Sequence, residues 1–298
     1  MNVQIVTDST SDIPPAILAD LPITTIPLHI QLNGREYLDI ENLSRKEFYD
    51  SLPNANPYPT TAAPSPEQFL EVYQRLIDQG AEAIFSIHIS QSLSAIHNSA
   101  QLAAQRVTQI PVYVIDSGNL SMAEGLIVIG AARAAQSGKG VEEIHNVIES
   151  AIHRAHALAK LDTIDYLKQG GRINSITHSV ISILGIKPIM KMHNHISRME
   201  IARTKSKAFQ KVVDEALEIL PHAELFGITH ANVPSQVEEL VEQLKEFFPT
   251  LSDPWVSEVT PALGVHVGPG ALCINWIEEA HSEESGIKGI KQWFSKNL

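Results

Sequence analysis

The 298-residue sequence predicts an α/β fold in two domains. The first is built on a mainly parallel sheet flanked by helices, and the second is a smaller domain of mixed strand directions. Two observations predict this. In the first half, short apolar runs alternate with helix-period segments, and strands separated by helices join through right-handed crossovers into a parallel sheet. In the second half, residues 187–192 and 196–203 alternate like paired strands, with only His193-Asn194-His195 between them. The division is placed near Leu158, giving an N-terminal domain over 1–158 and a C-terminal domain over 159–298.

The elements follow in order. Residues 3–7 form a short apolar strand, and Pro14-Pro15 opens a helix with Asp12 as its cap. Residues 24–32 read as one strand that ends in the hairpin signal Asn33-Gly34. Ser44 with Glu47, and Ser65-Pro66 with Gln68, are capping boxes for a short and a longer helix, the second stopping near Gly80. Residues 83–89 are a strand, 94–107 a helix and 112–115 a buried strand. Two helices are expected over 121–136 and 141–160. Beyond the paired strands come a helix over 205–220, a strand over 225–229, a helix over 234–247, and strands over 255–259 and 272–277.

Composition narrows the function. With 44% hydrophobic residues the chain is globular, and 22 basic against 34 acidic residues leave a net charge of -12. Nucleic-acid binding needs clustered Lys and Arg, so that class is disfavoured, and anionic membrane surfaces repel such a chain. An anionic ligand must be captured by a local device. The single Cys273 lies in the apolar run Ala271-Leu272-Cys273-Ile274 and reads as a buried structural thiol. No signal peptide or membrane span is read from the sequence, and the expected location is cytoplasmic. There is no G-x-x-x-x-G-K or G-x-G-x-x-G, so no nucleotide or other cofactor is expected.

Polar residues gather where a parallel sheet binds ligands, beyond the carboxyl ends of its strands. The first strand ends in Thr7-Asp8-Ser9-Thr10-Ser11-Asp12, the second in Ser90-Gln91-Ser92-Leu93-Ser94, and the third in Asp116-Ser117-Gly118. They read equally as helix caps or as ligand groups. Ser94, at the start of the next helix, suits an anion. Thr60 and Thr61 sit in a loop stiffened by Pro59, Pro64 and Pro66. Arg172 follows Gly170-Gly171 and suits carboxylate capture, and His266 precedes the turn Gly268-Pro269-Gly270.

Eight short segments, in this order, resemble the DegV family. They are Thr7-Asp8-Ser9-Thr10; Thr61-Ala62-Ala63-Pro64-Ser65-Pro66; Leu93-Ser94-Ala95 with Ser99-Ala100; Asp116-Ser117 with Ser121 and Gly125; Tyr166-Leu167-Lys168 with Gly170-Gly171-Arg172-Ile173; Lys187-Pro188-Ile189; Arg203-Thr204; and His266-Val267-Gly268-Pro269-Gly270. The resemblance implies a two-domain α/β protein that buries one long-chain fatty acid. It implies head-group roles for Thr61 and Ser94, with His266 in the same pocket and Arg172 near the head group or a partner surface. It also implies a partner for some relatives, a separate ATP-dependent fatty-acid kinase that makes an acyl phosphate. The chain departs from the family pattern at Ala62, Ala63, Ala95 and Ile96, and the bulk at Ala95 and Ile96 is expected to narrow the head-group end or change its polarity.

Two other classes compete. A serine hydrolase would use Ser94, His266 and Asp8 or Asp116, but the G-x-S-x-G elbow is missing. A metal protein would use His153 and His156, or His193 and His195. These read instead as exposed histidines on a helix and at a turn, with no supporting ligand motif.

Overall fold

The computed structural model describes residues 1–172, 185–252 and 254–280. Three sheets organise them. The first is fully parallel, in the order β2-β1-β6-β7, from β1 (Val3–Asp8), β2 (Ile23–Ile26), β6 (Ala83–His88) and β7 (Val112–Asp116). The second, three-stranded and antiparallel, has β3 (His29–Leu32) between β4 (Arg35–Leu38) and β5 (Thr60–Ala62). The third is six-stranded and mixed, in the order β10-β9-β8-β13-β11-β12. Its strands are β8 (Ala155–Lys160), β9 (Lys187–His193), β10 (His195–Ala202), β11 (Ala223–His230), β12 (Trp255–Glu258) and β13 (Leu272–Glu278).

Helices α1 (Pro15–Asp20), α2 (Arg45–Ser51), α3 (Pro66–Asp78), α4 (Ile96–Ala104), α5 (Ser121–Gln136) and α6 (Val141–Arg154) belong to the first half. The second half adds α7 (Asp165–Gln169), α8 (Lys205–Ile219), α9 (Pro234–Phe247) and α10 (Pro261–Val267). Helix α5 is buried nearly all round, from Met122 to Ala134, because it packs between the parallel and the six-stranded sheets. On the other face of the parallel sheet, α3 and α4 share a core with the three-stranded sheet and α10. Helices α8 and α9 cover the far face of the six-stranded sheet.

Several expectations hold in detail. Asn33 and Gly34 have φ of 51° and 76°, as a tight hairpin turn needs. The Ser65–Gln68 capping box closes in both directions, whereas Ser44 accepts from the Glu47 amide alone.

Others are corrected. The strand expected over 24–32 is two strands in different sheets, because Pro27 breaks the ladder between them. The helix expected over 141–160 stops at Arg154. Residues 155–160, Ala-His-Ala-Leu-Ala-Lys, form β8, paired on one side with β13 and on the other with β9. Alanine favours helix locally, but two flanking ladders override that preference. Leu158, beside the expected domain division, is inside this strand. His156 is therefore on a strand and buried, stacked between His193 at 4.3 Å and Trp276 at 4.9 Å. Asp12 does not cap α1, whose start carries no side-chain cap. The sequence predicts no element over residues 261–267, only the turn after them; α10 is there, and its apolar stretch Ala262-Leu263-Gly264-Val265 is too short to show helical periodicity.

Candidate functional site

A cavity of about 860 Å³, counting its open mouth, lies between the edge of the parallel sheet and the near face of the six-stranded sheet. Its walls are largely apolar. Strand β8 contributes Ala157 and Ala159, whose small side chains leave room, and Met190, Met192, Ile196 and Cys273 come from β9, β10 and β13. The other side is Leu28, Ile89, Leu93, Leu120 and, from α7 and α10, Leu167, Ala262, Leu263 and Val267. Alternation along β8 turns Ala157 and Ala159 toward the cavity and Leu158 into the core under α8 and α9.

The polar lining is Thr10, Thr61, Ser94, Arg172 and His266. All four residues named from the sequence are therefore in one cavity. Three of them are linked by contacts. Thr61 Oγ1 is 3.0 Å from His266 Nε2. Nδ1 of that ring lies against the Gly170 backbone, where a Cβ would collide with it. Arg172 Nη1 donates to the Gly170 carbonyl at 2.9 Å, and its Nε reaches the Leu93 carbonyl at 3.4 Å, next to Ser94.

Each glycine of Gly170-Gly171-Arg172 has a distinct reason. Gly171, at φ 72°, is the left-handed residue that ends α7; its amide bonds Lys168 and the Arg172 amide bonds Leu167, a Schellman closure. Gly170 makes room for the imidazole. The closure then points Arg172 back at Leu93 and Gly170. Ile173, the last residue of that motif, lies outside the described residues.

Thr61 is on a short strand and not in a loop. The register Ile30↔Thr61 in the β3–β5 ladder holds its backbone, and the prolines flank that strand. Ser94 is one residue outside the α4 cap, which is Ala95. Its hydroxyl accepts from the Ile96 amide only at 3.4 Å, so it is not committed to capping. Ala95 is exposed and Ile96 is buried in the core, and neither lines the cavity; the expected narrowing there does not occur. Ala62 and Ala63 instead line a neighbouring polar depression with His29, Glu36 and Gln68, which shares Thr61 with the cavity.

Helix α10 sets His266. Its first amides meet two buried carboxylates: Asp12 accepts from the Thr260 amide at 2.8 Å and Asp39 from the Ala262 amide at 3.3 Å. Ser121 and Ser9 hydroxyls donate to the same pair at 2.6 Å each. Burial pushes Asp12 up to about 7 and Asp39 to about 6, against those hydrogen bonds. At its other end, Gly268 packs on the Tyr166 ring, while Lys160 Nζ donates to the Gly270 carbonyl at 2.8 Å. Burial and then the Arg172 cation push His266 down to about 4, with a backbone contact at Gly170 opposing them, so the ring is neutral near pH 7. Burial raises Cys273 to about 12, which makes it an inert wall of the cavity.

Most of the strand-end polar groups tie the sheet edge together. Asp8 accepts from Thr10, the Ile89 amide and His88; burial opposes its ionisation, but His88 prevails and holds it below the usual range. Asp116 accepts from the Gln91 and Gly118 amides. Neither aspartate bonds His266, and its ring meets Thr61 and not Ser94, so the hydrolase arrangement is not assembled. Among the described residues no group of three or more His, Cys, Asp and Glu could hold a metal ion, and no helix is long and apolar enough to cross a membrane.

Thr10, one of the strand-end hydroxyls, is in the lining; the sequence reading missed Asp39 and the apolar walls from β8, β9 and β13. Once β8 is known to be a strand, the Ala157/Ala159 alternation is the signal that finds them.

The fold and cavity define a class: a three-sheet α/β protein with an apolar cavity lined at one end by hydroxyl, imidazole and guanidinium groups, fit for a ligand with an apolar body and a small acidic head. A sequence model of the family described as "Uncharacterised protein, DegV family" matches residues 2–279, and the chain belongs to that family. It is 34% identical to a DegV domain-containing protein of Streptomyces coelicolor over 91% of this chain and 96% of that one. It is similar to the structure described as "Fatty Acid Binding of a DegV family Protein from Thermus thermophilus", with a TM-score of 0.84, 26% identity and coverage of 94% and 100%. It is also similar to DegV of Bacillus subtilis, described as a fatty acid binding protein, with a TM-score of 0.83, 29% identity and coverage of 94% and 100%.

Proposed function

We propose that the chain binds one long-chain fatty acid, with its tail against the apolar walls and its carboxylate held by Thr61 and Ser94, supported by His266 and Arg172. The observation that carries this reading is the grouping of those four side chains in a cavity whose other walls are almost entirely apolar. The described ligands of the Thermus and Bacillus relatives support it. Burying about 14 methylenes at roughly 0.8 kcal/mol each gives an upper limit of about 11 kcal/mol. The loss of ligand freedom reduces it considerably. The head group then orients the ligand more than it holds it.

A finer step is presentation of that carboxylate to a separate ATP-dependent fatty-acid kinase for acyl-phosphate formation. The resemblance to the DegV family implies such a partner for some relatives, and the sequence has no phosphate-binding loop of its own, so ATP would come with the partner. Native mass spectrometry of the purified protein tests the first step: a copurifying mass of one long-chain acid is expected, and failure to retain or bind any such acid refutes it. For the second step, acyl phosphate should form from fatty acid, ATP and a candidate kinase only when this protein is added.

A further inference from the structure

We propose that anion binding in this cavity takes up one proton from solvent, and that the proton rests on the His266 ring. The inference rests on the head-group placement argued above and goes beyond it.

The argument is one of hydrogen counting. Nε2 of the ring meets the Thr61 hydroxyl at 3.0 Å, while Nδ1 is buried against the Gly170 backbone and makes no completed hydrogen bond there; the Gly170 carbonyl accepts from Arg172. A neutral ring has a single N–H to share between these two directions. With the hydrogen on Nδ1, Thr61 donates to Nε2 and turns only lone pairs to the cavity, where an anion would be repelled. With the hydrogen on Nε2, Thr61 is free to donate to an anion, but Nδ1 turns a lone pair to the Gly170 backbone. The doubly protonated ring serves both directions at once: Nδ1 presents an N–H to the Gly170 backbone, against which it is buried without a partner, Nε2 donates to Thr61, and Thr61 donates to the head group.

The charges agree with this count. Facing this end of α10 are Thr61 from β5, Tyr166 from α7, Tyr58 from the segment before β5, and Arg172 after α7. Burial raises both tyrosines, which stay neutral, so Arg172 is the charged group among them. Before binding, burial and Arg172 keep the ring unprotonated at neutral pH. A carboxylate beside Arg172 cancels that cation's field and adds its own attraction. A group whose pKa rises on binding strengthens binding at low pH and weakens it as pH rises through the bound-state value.

The test uses a long-chain alkyl sulfonate, which stays anionic from pH 5 to 8 and has no proton to contribute. Titration calorimetry of the full chain at pH 6.5, in two buffers of different ionisation heat, reads the protons taken up. The expected result is an uptake between about one half and one proton, with affinity falling by up to about tenfold per pH unit above pH 6. His266→Gln should bind the sulfonate with no uptake and a flat pH profile. If that variant does not fold, the His266 ring carbon and nitrogen shifts of the wild-type protein, with and without sulfonate, report the same protonation. Binding of sulfonate with no uptake and no pH dependence overturns the proposal and leaves the fatty-acid reading standing, with Arg172 alone balancing the anion. Failure of both the sulfonate and a long-chain fatty acid to bind overturns the fatty-acid reading itself.

Discussion

Replacing Thr61 by valine removes one hydroxyl and nothing else of consequence. Valine has nearly the same shape, favours strands, and leaves the β3–β5 ladder intact because the Ile30↔Thr61 pairing runs through the backbone. Two losses follow. The ligand carboxylate loses a donor, and a donor to a charged acceptor is worth about 1.5–3 kcal/mol. His266 Nε2 loses its partner at 3.0 Å, which costs stability of order 1 kcal/mol because the ring is only partly buried. The dissociation constant for a long-chain fatty acid should therefore rise by about 10- to 100-fold. Calorimetry or displacement of a fluorescent fatty acid measures this, with a thermal melt to show that the fold persists. A dissociation constant within twofold of wild type, in a folded variant, would show that the hydroxyl does not touch the head group.

Three further outcomes are expected. Ser94→Ala should weaken binding by a similar factor with little change in melting temperature, since its hydroxyl makes only a long contact to the Ile96 amide. Ala159→Phe should fill part of the cavity and lower affinity for long acyl chains more than for short ones, at roughly 0.8 kcal/mol for each methylene excluded, read from a chain-length series. Asp12→Asn tests the buried carboxylates. The folded value near 7 lies above the unfolded 3.8, so between them the native state holds more protons, and the charged group costs stability that grows as pH rises. The unfolding free energy of the variant relative to wild type, read from melts at each pH, should therefore climb from pH 4 to pH 7, by up to about 1.4 kcal/mol per pH unit. A constant difference across that range would mean that Asp12 is ionised in the fold at all these pH values.

Much of the architecture was legible because it is local. The capping box at Ser65–Gln68, the Asn33-Gly34 turn and the buried helix Ser121–Gln136 are each specified by residues a few positions apart. The site residues Thr61, Ser94, Arg172 and His266 could be named from short motifs, and the cavity gathers all four. What failed was non-local. Residues 155–160 look helical until β9 and β13 pair with them, and 24–32 looks like one strand until Pro27 sends its halves to different sheets.

The sequence by itself determined the α/β class, the family pattern, and the residue types at the head-group end, because cap, turn and strand preferences act over a few residues. Only the tertiary structure decided that Gly170 yields its side-chain space to His266, that Asp12 and Asp39 hold the start of α10, and that the alanines of β8 open the cavity wall. The physical reason is distance along the chain. Gly170 meets a residue nearly a hundred positions away, and Asp12 bonds an amide 248 positions away. No periodicity or local preference encodes such a contact; it exists only once the sheets have closed on one another.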